Sequence, residues 1–223
     1  MIQFANVSKK FGEIIALEEI NFKIASQEFV FIIGPSGAGK TTIARLILRQ
    51  YLPTKGIIKI DKKDLSKLTA KELVNLRRKI GVVFQDLKLL RDQTVYENVA
   101  LSLKVLGWEK EKIKKEVEKV LDLVGLTERA NLFPAQLAGG ELQRTCLARA
   151  VVAEPRIVIA DEPTGNLDPT TAWQIVKLLK KINRMGKTVI MATHNFEIVD
   201  SLRERVIKLD KGKMIADKNE GTY

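Results

Sequence analysis

Eight consecutive residues, Gly34-Pro35-Ser36-Gly37-Ala38-Gly39-Lys40-Thr41, satisfy the pattern G-x-x-x-x-G-K-[ST] at every fixed position. Each part has a physical task. The glycines let successive backbone N–H groups turn toward one phosphate, and a helix beginning at the lysine adds its positive end. Lys40 is suited to neutralising β- and γ-phosphate charge, and the Thr41 hydroxyl to ligating Mg²⁺. A glycine-rich turn followed by a chance Lys-Thr is the bland alternative. The apolar run before the loop and the helical run after it argue against that alternative. The loop therefore implies binding of a nucleoside triphosphate.

A second element fits the same chemistry. Arg156-Ile157-Val158-Ile159-Ala160-Asp161-Glu162 is four apolar residues ending in two acids, a strand delivering carboxylates to the sheet edge where open α/β folds bind ligands. Asp161 can hold Mg²⁺, usually through water, while Glu162 can accept a proton from an attacking water. Taken alone, the run also fits a strand followed by an acidic turn; downstream of a phosphate loop, the paired roles explain it better.

The elements that must position these groups follow from periodicity. Phe29–Gly34 reads as a buried strand entering the loop, and Lys40–Leu52 as a helix stopped at Pro53. Ile80–Phe84, Arg156–Glu162, Thr188–Thr193 and Arg205–Leu209 read as further strands. Asp210-Lys211-Gly212-Lys213 reads as the turn of a terminal hairpin. From Asp86 to about Val152 the pattern is mostly helical. Within it Ile113, Val117, Val120, Leu121 and Val124 form one stripe, stopped by Gly125. The opening residues read as antiparallel strands. The expected fold class is α/β, a largely parallel sheet with an inserted helical lobe.

Composition sets the outer bounds. At ~150 residues per domain, 223 residues suggest one domain, 1–223, with a lobe. A hydrophobic fraction of 45% excludes disorder as the main state. The longest apolar runs, such as Phe29–Ile33, fall far short of the ~20 residues of a membrane span. The N-terminus shows no basic stretch followed by an apolar region, so neither a secretory signal nor independent membrane entry is expected. The 38 Lys+Arg against 27 Asp+Glu give +11. Apart from clusters at 59–67 and 110–119 the lysines are dispersed, which suits a solvated surface better than a polyanion groove. Cys146, the single cysteine, lies in a helical run, so packing is the expected role and a reducing cytoplasm fits.

Over essentially its whole length the sequence resembles the ATP-binding cassette ATPases. Phe11 matches the aromatic residue that stacks on adenine, and Gln85 the glutamine that senses Mg²⁺ and the partner subunit. Leu137-Ala138-Gly139-Gly140-Glu141 matches the signature, Asn166-Leu167-Asp168 the loop crossing the dimer interface, and His194 the switch histidine. The resemblance implies a RecA-like core, a flanking antiparallel β subdomain and a helical subdomain at about 86–152. It implies ATP and Mg²⁺ as cofactors. The triphosphate is held by Gly34, Pro35, Ser36, Gly37, Ala38, Gly39, Lys40, Thr41 and Thr42, and the metal by Thr41, Gln85 and Asp161. Glu162, His194 and Gln85 are the implied catalytic residues. Ala138, Gly139, Gly140, Glu141 and Asp168 would complete the site in a homodimer formed on ATP binding.

The segments 84–100, 133–137, 160–168 and 192–200 resemble the family's cell-division branch, with Asn195 and Gly221-Thr222-Tyr223 resembling its Gram-positive side. The string Ala160–Asp168 is shared with lipoprotein-release and efflux ATPases, which remain an alternative. A soluble nucleic-acid-associated member of the superfamily is a second. Such proteins usually carry tandem cassettes, coiled coils or zinc insertions, and the sequence shows none of these. The cell-division likeness implies a transmembrane partner docked beside Gln85–Val99, a location on the cytoplasmic face of the plasma membrane, and no specific nucleic acid. Two departures stand out: Ala138 replaces the signature serine and Glu141 the glutamine. Losing the serine is expected to remove a helix cap and one hydroxyl from the opposite chain's phosphate, weakening the inter-chain site.

Overall fold

Every residue of β3 (Phe29–Ile33) is apolar and buried, so both faces of this strand need cover. The computed structural model, which describes residues 1–220, supplies two cores. Phe29, Phe31 and Ile33 enter one, and Val30 and Ile32 the other, as the two-residue period of a strand requires. β7 (Ile157–Asp161) and β8 (Thr188–Thr193) divide in the same way, with Val158, Ala160, Val189 and Met191 on one side and Ile157, Ile159 and Ile190 on the other. Each fully buried side chain of this size contributes roughly 1.5–3 kcal/mol of transfer energy.

The six-stranded sheet adds β6 (Ile80–Val83), β9 (Arg205–Asp210) and β10 (Lys213–Lys218), in the order β10-β9-β3-β8-β7-β6. All neighbours are parallel except the terminal β9–β10 hairpin. That hairpin turns on Lys211 and Gly212, both with positive φ, the arrangement of a tight two-residue loop. A second, antiparallel sheet runs β2-β1-β4-β5, from β1 (Ile2–Phe11), β2 (Ile14–Ile24), β4 (Lys55–Ile60) and β5 (Lys63–Asp64). It shares one core with helix α1 (Lys40–Ile47), and α2 (Ala70–Arg77) lies between β5 and β6 in the chain. The other core holds α3 (Val95–Val105), α4 (Lys110–Val124), α5 (Gly139–Val151) and α6 (Pro169–Arg184), with α7 (Phe196–Leu202) at its margin. Residues 221–223, part of the branch resemblance, lie outside the described residues. Among the described residues no helix is long and apolar enough to cross a membrane.

Parallel register sets the geometry of the site. Ile33 pairs Thr193, Asp161 pairs Ala192, and Val83 pairs Ala160. The four strands therefore end level, and Gly34, Gln85, Glu162 and His194 leave one edge side by side.

Two sequence expectations are corrected. Helix α1 stops at Ile47 and does not reach Leu52. Arg49 turns left-handed, and Arg77 of α2 takes the carbonyls of Leu48 at 3.0 Å and Arg49 at 3.1 Å, capping the helix early. The stretch from Asp86 is not helical until Val95. Leu87 and Lys88 have positive φ, and Arg149 donates to both their carbonyls, at 2.9 Å and 2.7 Å. Fully buried Asn98 accepts from Leu90 N–H at 2.9 Å and donates to the carbonyls of Leu90, Gln93 and Thr94. The loop is irregular because helix α3 and helix α5 satisfy its backbone. The stripe on α4 is as read: Ile113, Val117, Val120, Leu121 and Val124 are buried and Gly125 caps the end left-handed.

Replacing Asn98 with alanine removes those partners from part-buried backbone groups, each costing up to ~1–3 kcal/mol when unpaired. Asn98→Ala is expected to lower the unfolding free energy by about 3 kcal/mol in urea titrations; a loss below about 1 kcal/mol would show that the loop does not depend on it.

Candidate functional site

The loop between β3 and α1 is built so that its N–H groups have no side-chain competitor. Helix α1 has no side-chain cap and no acidic residue in its first turn, so its positive end is free to receive an anion. Gly39 sits at φ 106°, where an added Cβ would stand 2.6 Å from Leu17 Cδ2 and 2.8 Å from Ala16 O; only glycine fits. A cavity of about 510 Å³ lies over the loop, lined by residues 35–42 together with Ala16, Gln85, Glu162 and His194.

Lys40 is buried at 7% exposure and its charge is fully engaged. Its Nζ donates to Gly34 O at 2.8 Å and Pro35 O at 3.2 Å, and pairs with Glu162 Oε1 at 3.2 Å. The second carboxylate oxygen, Glu162 Oε2, lies 2.8 Å from His194 Nδ1. Glu162 thus joins the phosphate loop to the end of β8. Its side chain is 10% exposed, whereas that of His194 is 61% exposed. The backbone of Glu162 is left-handed at φ 50°, and its N–H donates to Ala192 O at 2.9 Å. A non-glycine residue there is strained, and such strain concentrates at functional sites.

Asp161 is buried, and its Oδ1 has no hydrogen-bond partner. Burial pushes its carboxyl above the usual carboxylate range; the neighbouring Glu162 charge adds to this, while a hydrogen bond to Thr41 and the charges of Lys40 and Arg45 oppose it. A second cavity of about 440 Å³ is lined by Asp161, Thr41, Gln85 and Asn166, among others. Thr41 and Gln85 line both cavities. An unpaired buried carboxylate oxygen beside a hydroxyl fits a hard cation. Mg²⁺ in particular needs only one or two carboxylates when substrate phosphates and water complete its octahedron.

The remaining candidates stand elsewhere. Phe11, 39% exposed, meets Tyr51 edge-on at 5.0 Å, with Lys9 Nζ 4.9 Å from its ring centre, and lines neither cavity. Ala138 precedes α5 and offers no side-chain cap. Glu141 compensates in part: its Oε2 accepts the Ala138 N–H at 2.9 Å, and its Oε1 accepts from Arg129 Nε at 2.9 Å. The Arg129 guanidinium and that N–H hold the Glu141 carboxyl below the usual range. A Cβ on Gly140 would meet Thr171 Cγ2 at 2.4 Å, so the signature turn packs on the first turn of α6. Asp168 caps that helix by accepting the Thr171 N–H at 3.0 Å. The structure therefore gathers the phosphate loop, Asp161, Glu162, Gln85 and His194, and leaves the signature, Asp168 and Phe11 outside both cavities. Sequence reading missed Arg129, which lies twelve positions from its partner, a separation with no local signature; Asn166, read as part of the interface loop, also lines the second cavity.

The sequence pattern of the family described as ABC transporter matches residues 17–165. The cell division ATP-binding protein FtsE of Bacillus subtilis is 51% identical over 100% of this chain and 98% of its own length. The protein of the same name from Mycobacterium tuberculosis is 48% identical with the same coverage. The methionine import ATP-binding protein MetN of Haemophilus ducreyi is 41% identical over 96% of this chain and 64% of its own length. Among solved structures, the dimeric post-hydrolysis state of the ATP-binding cassette MJ0796 bound to ADP and Pi superposes with a TM-score of 0.89 at 38% identity, covering 100% of both chains.

Asp161→Asn keeps the shape of the buried side chain and removes its charge. Magnesium-dependent ATP turnover should fall at least about hundredfold, because a metal on phosphoryl oxygens supplies several kcal/mol. Without nucleotide the variant should unfold at higher denaturant than the parent, since a desolvated charge is gone. Unfolding at lower denaturant would contradict this reading of Asp161.

Proposed function

This chain belongs to the ABC transporter family, and from its place among those ATPases we propose that it is the ATP-hydrolysing subunit of a membrane complex of the FtsE–FtsX kind, serving cell division. The observation that carries the reading is the whole-length likeness to relatives named FtsE. A groove of about 520 Å³ beside the Gln85 loop supports the membrane partner. It is lined by Val74, Ile80, Val82, Phe84, Val105 and Ala153, with Arg77, Arg78 and Arg149 among its polar residues. An amphipathic helix with an acidic flank suits such a groove, and a transmembrane subunit resembling FtsX would present one. The chain then sits at the cytoplasmic face of the plasma membrane, peripheral through that partner, and engages no specific nucleic acid.

In this reading Lys40 and the loop amides hold the β- and γ-phosphates, and Phe11 stacks on the adenine. Glu162, at the mouth of the loop, accepts a proton from the attacking water, while His194 and Gln85 contact the γ-phosphate end. Thr41, Asp161 and Gln85 would hold Mg²⁺, which would supply charge neutralisation at the phosphates. The signature Ala138–Glu141 and Asp168, which lie outside the cavities, are assigned by the family resemblance to a second chain's triphosphate. Two chains pack head to tail as an ATP-driven homodimer. Closure and reopening are passed to the partner as a mechanical signal that controls cell-wall hydrolases outside. A methionine-import role, suggested by the 41% identity to MetN, is the second reading.

Two measurements test this. Glu162→Gln should bind ATP as the parent does and hydrolyse it roughly 10²–10⁴-fold more slowly; near-normal turnover would remove Glu162 as the base. Purification of the tagged chain from detergent-extracted membranes should recover a subunit of the FtsX kind. Recovery of an amino-acid permease would replace the cell-division reading by the import reading.

A further inference from the structure

A carboxylate in the first turn of α5 poses a problem if that helix end serves phosphate. It lies where an anion would bind, and it can both occupy the N–H groups and repel the ligand. Glu141 is such a carboxylate, but it leaves the Gly139 and Gly140 amides open and its charge is paired. One oxygen is turned back to the Ala138 N–H and the other is held by Arg129. No side chain caps the helix, so the N–H groups of Gly139 and Gly140 are left uncommitted.

We propose that Arg129 is a positioning residue for the inter-chain phosphate site: by pairing with Glu141 it cancels that charge and keeps the carboxylate away from the Gly139 and Gly140 amides. The inference rests on the two-chain reading above. Arg129 reaches the site from the turn after α4, at Thr127–Arg129, so its backbone belongs to a different element from the helix it serves. Arg144 adds a weaker attraction to the same carboxyl from within α5. The Arg129 and Glu141 side chains are 49% and 19% exposed. Exposed pairs of this kind contribute little to folding, which separates an electrostatic role toward phosphate from a stabilising one. Removing Arg129 leaves an uncancelled negative charge at the phosphate-receiving end. Neutralising Glu141 as well removes that charge, and a glutamine oxygen can still accept the Ala138 N–H.

The test is ATP-dependent dimerisation of the full chain, measured by light scattering with Mg²⁺-ATP in a Glu162→Gln background, with fluorescent-nucleotide binding to the phosphate loop as control. Arg129→Ala and Arg129→Gln should each raise the ATP concentration for half-maximal dimerisation by about tenfold, as like-charge juxtaposition at an interface does. Arg129→Lys should stay within about threefold of the parent, since it keeps the charge. Adding Glu141→Gln to Arg129→Ala should restore dimerisation to within about twofold of the parent, because the two effects share one charge. The proposal is overturned if Arg129→Ala dimerises like the parent, or if Glu141→Gln fails to rescue it. A parent that binds nucleotide and never dimerises would instead overturn the two-chain reading, and this inference with it.

Discussion

One carboxylate ties the site together. Glu162 contacts an ammonium on one oxygen and an imidazole on the other; the first comes from the start of helix α1, beyond β3, and the second from the end of β8. This bridge exists only because β3, β8 and β7 are adjacent, parallel and level. A one-residue slip of β7 would invert its side chains between the two cores and withdraw both acids from the edge. The doubly buried sheet is therefore the positional constraint for chemistry, and the helices on one side and the antiparallel sheet on the other exist to bury it.

The electrostatics of the site are deliberately incomplete. Lys40 has two carbonyls and a carboxylate around it, while Asp161 keeps a buried oxygen with nothing to accept from. Native interiors rarely leave such atoms unpaired. Together with the left-handed backbone of Glu162, this is stored cost at the point where substrate phosphate and metal charge would be received. The signature end follows the opposite rule. There Glu141, Arg129 and the Ala138 N–H satisfy one another, so no charge is left unpaired at the helix start.

Much of this was legible in the residues, for identifiable reasons. The phosphate loop and the Asp161-Glu162 strand are contiguous, and their chemistry depends on local spacing. The core strands show as short apolar runs, and the α4 stripe as a clean period. What could not be read is what depends on distant partners. Helix α1 ends early because Arg77, far along the chain, caps it. The segment after Gln85 avoids helix because Asn98 and Arg149 hold its carbonyls. Helix α2 buries none of its residues, so hydrophobic periodicity was silent. Its capping box, Thr69 with Glu72, was the signal available. Phe11 was placed by resemblance alone, and its edge-on contact with Tyr51 has no sequence signature.

The central claim is that Glu162 and His194 act as one unit at the phosphate loop, and the most direct test is a double-mutant cycle on steady-state ATP turnover with Glu162→Gln, His194→Ala and the pair combined. Groups that act together do not contribute independently, so the double variant should be no slower than the slower single variant, within about threefold. Losses that multiply, each substitution costing its full factor in the presence of the other, would contradict the account.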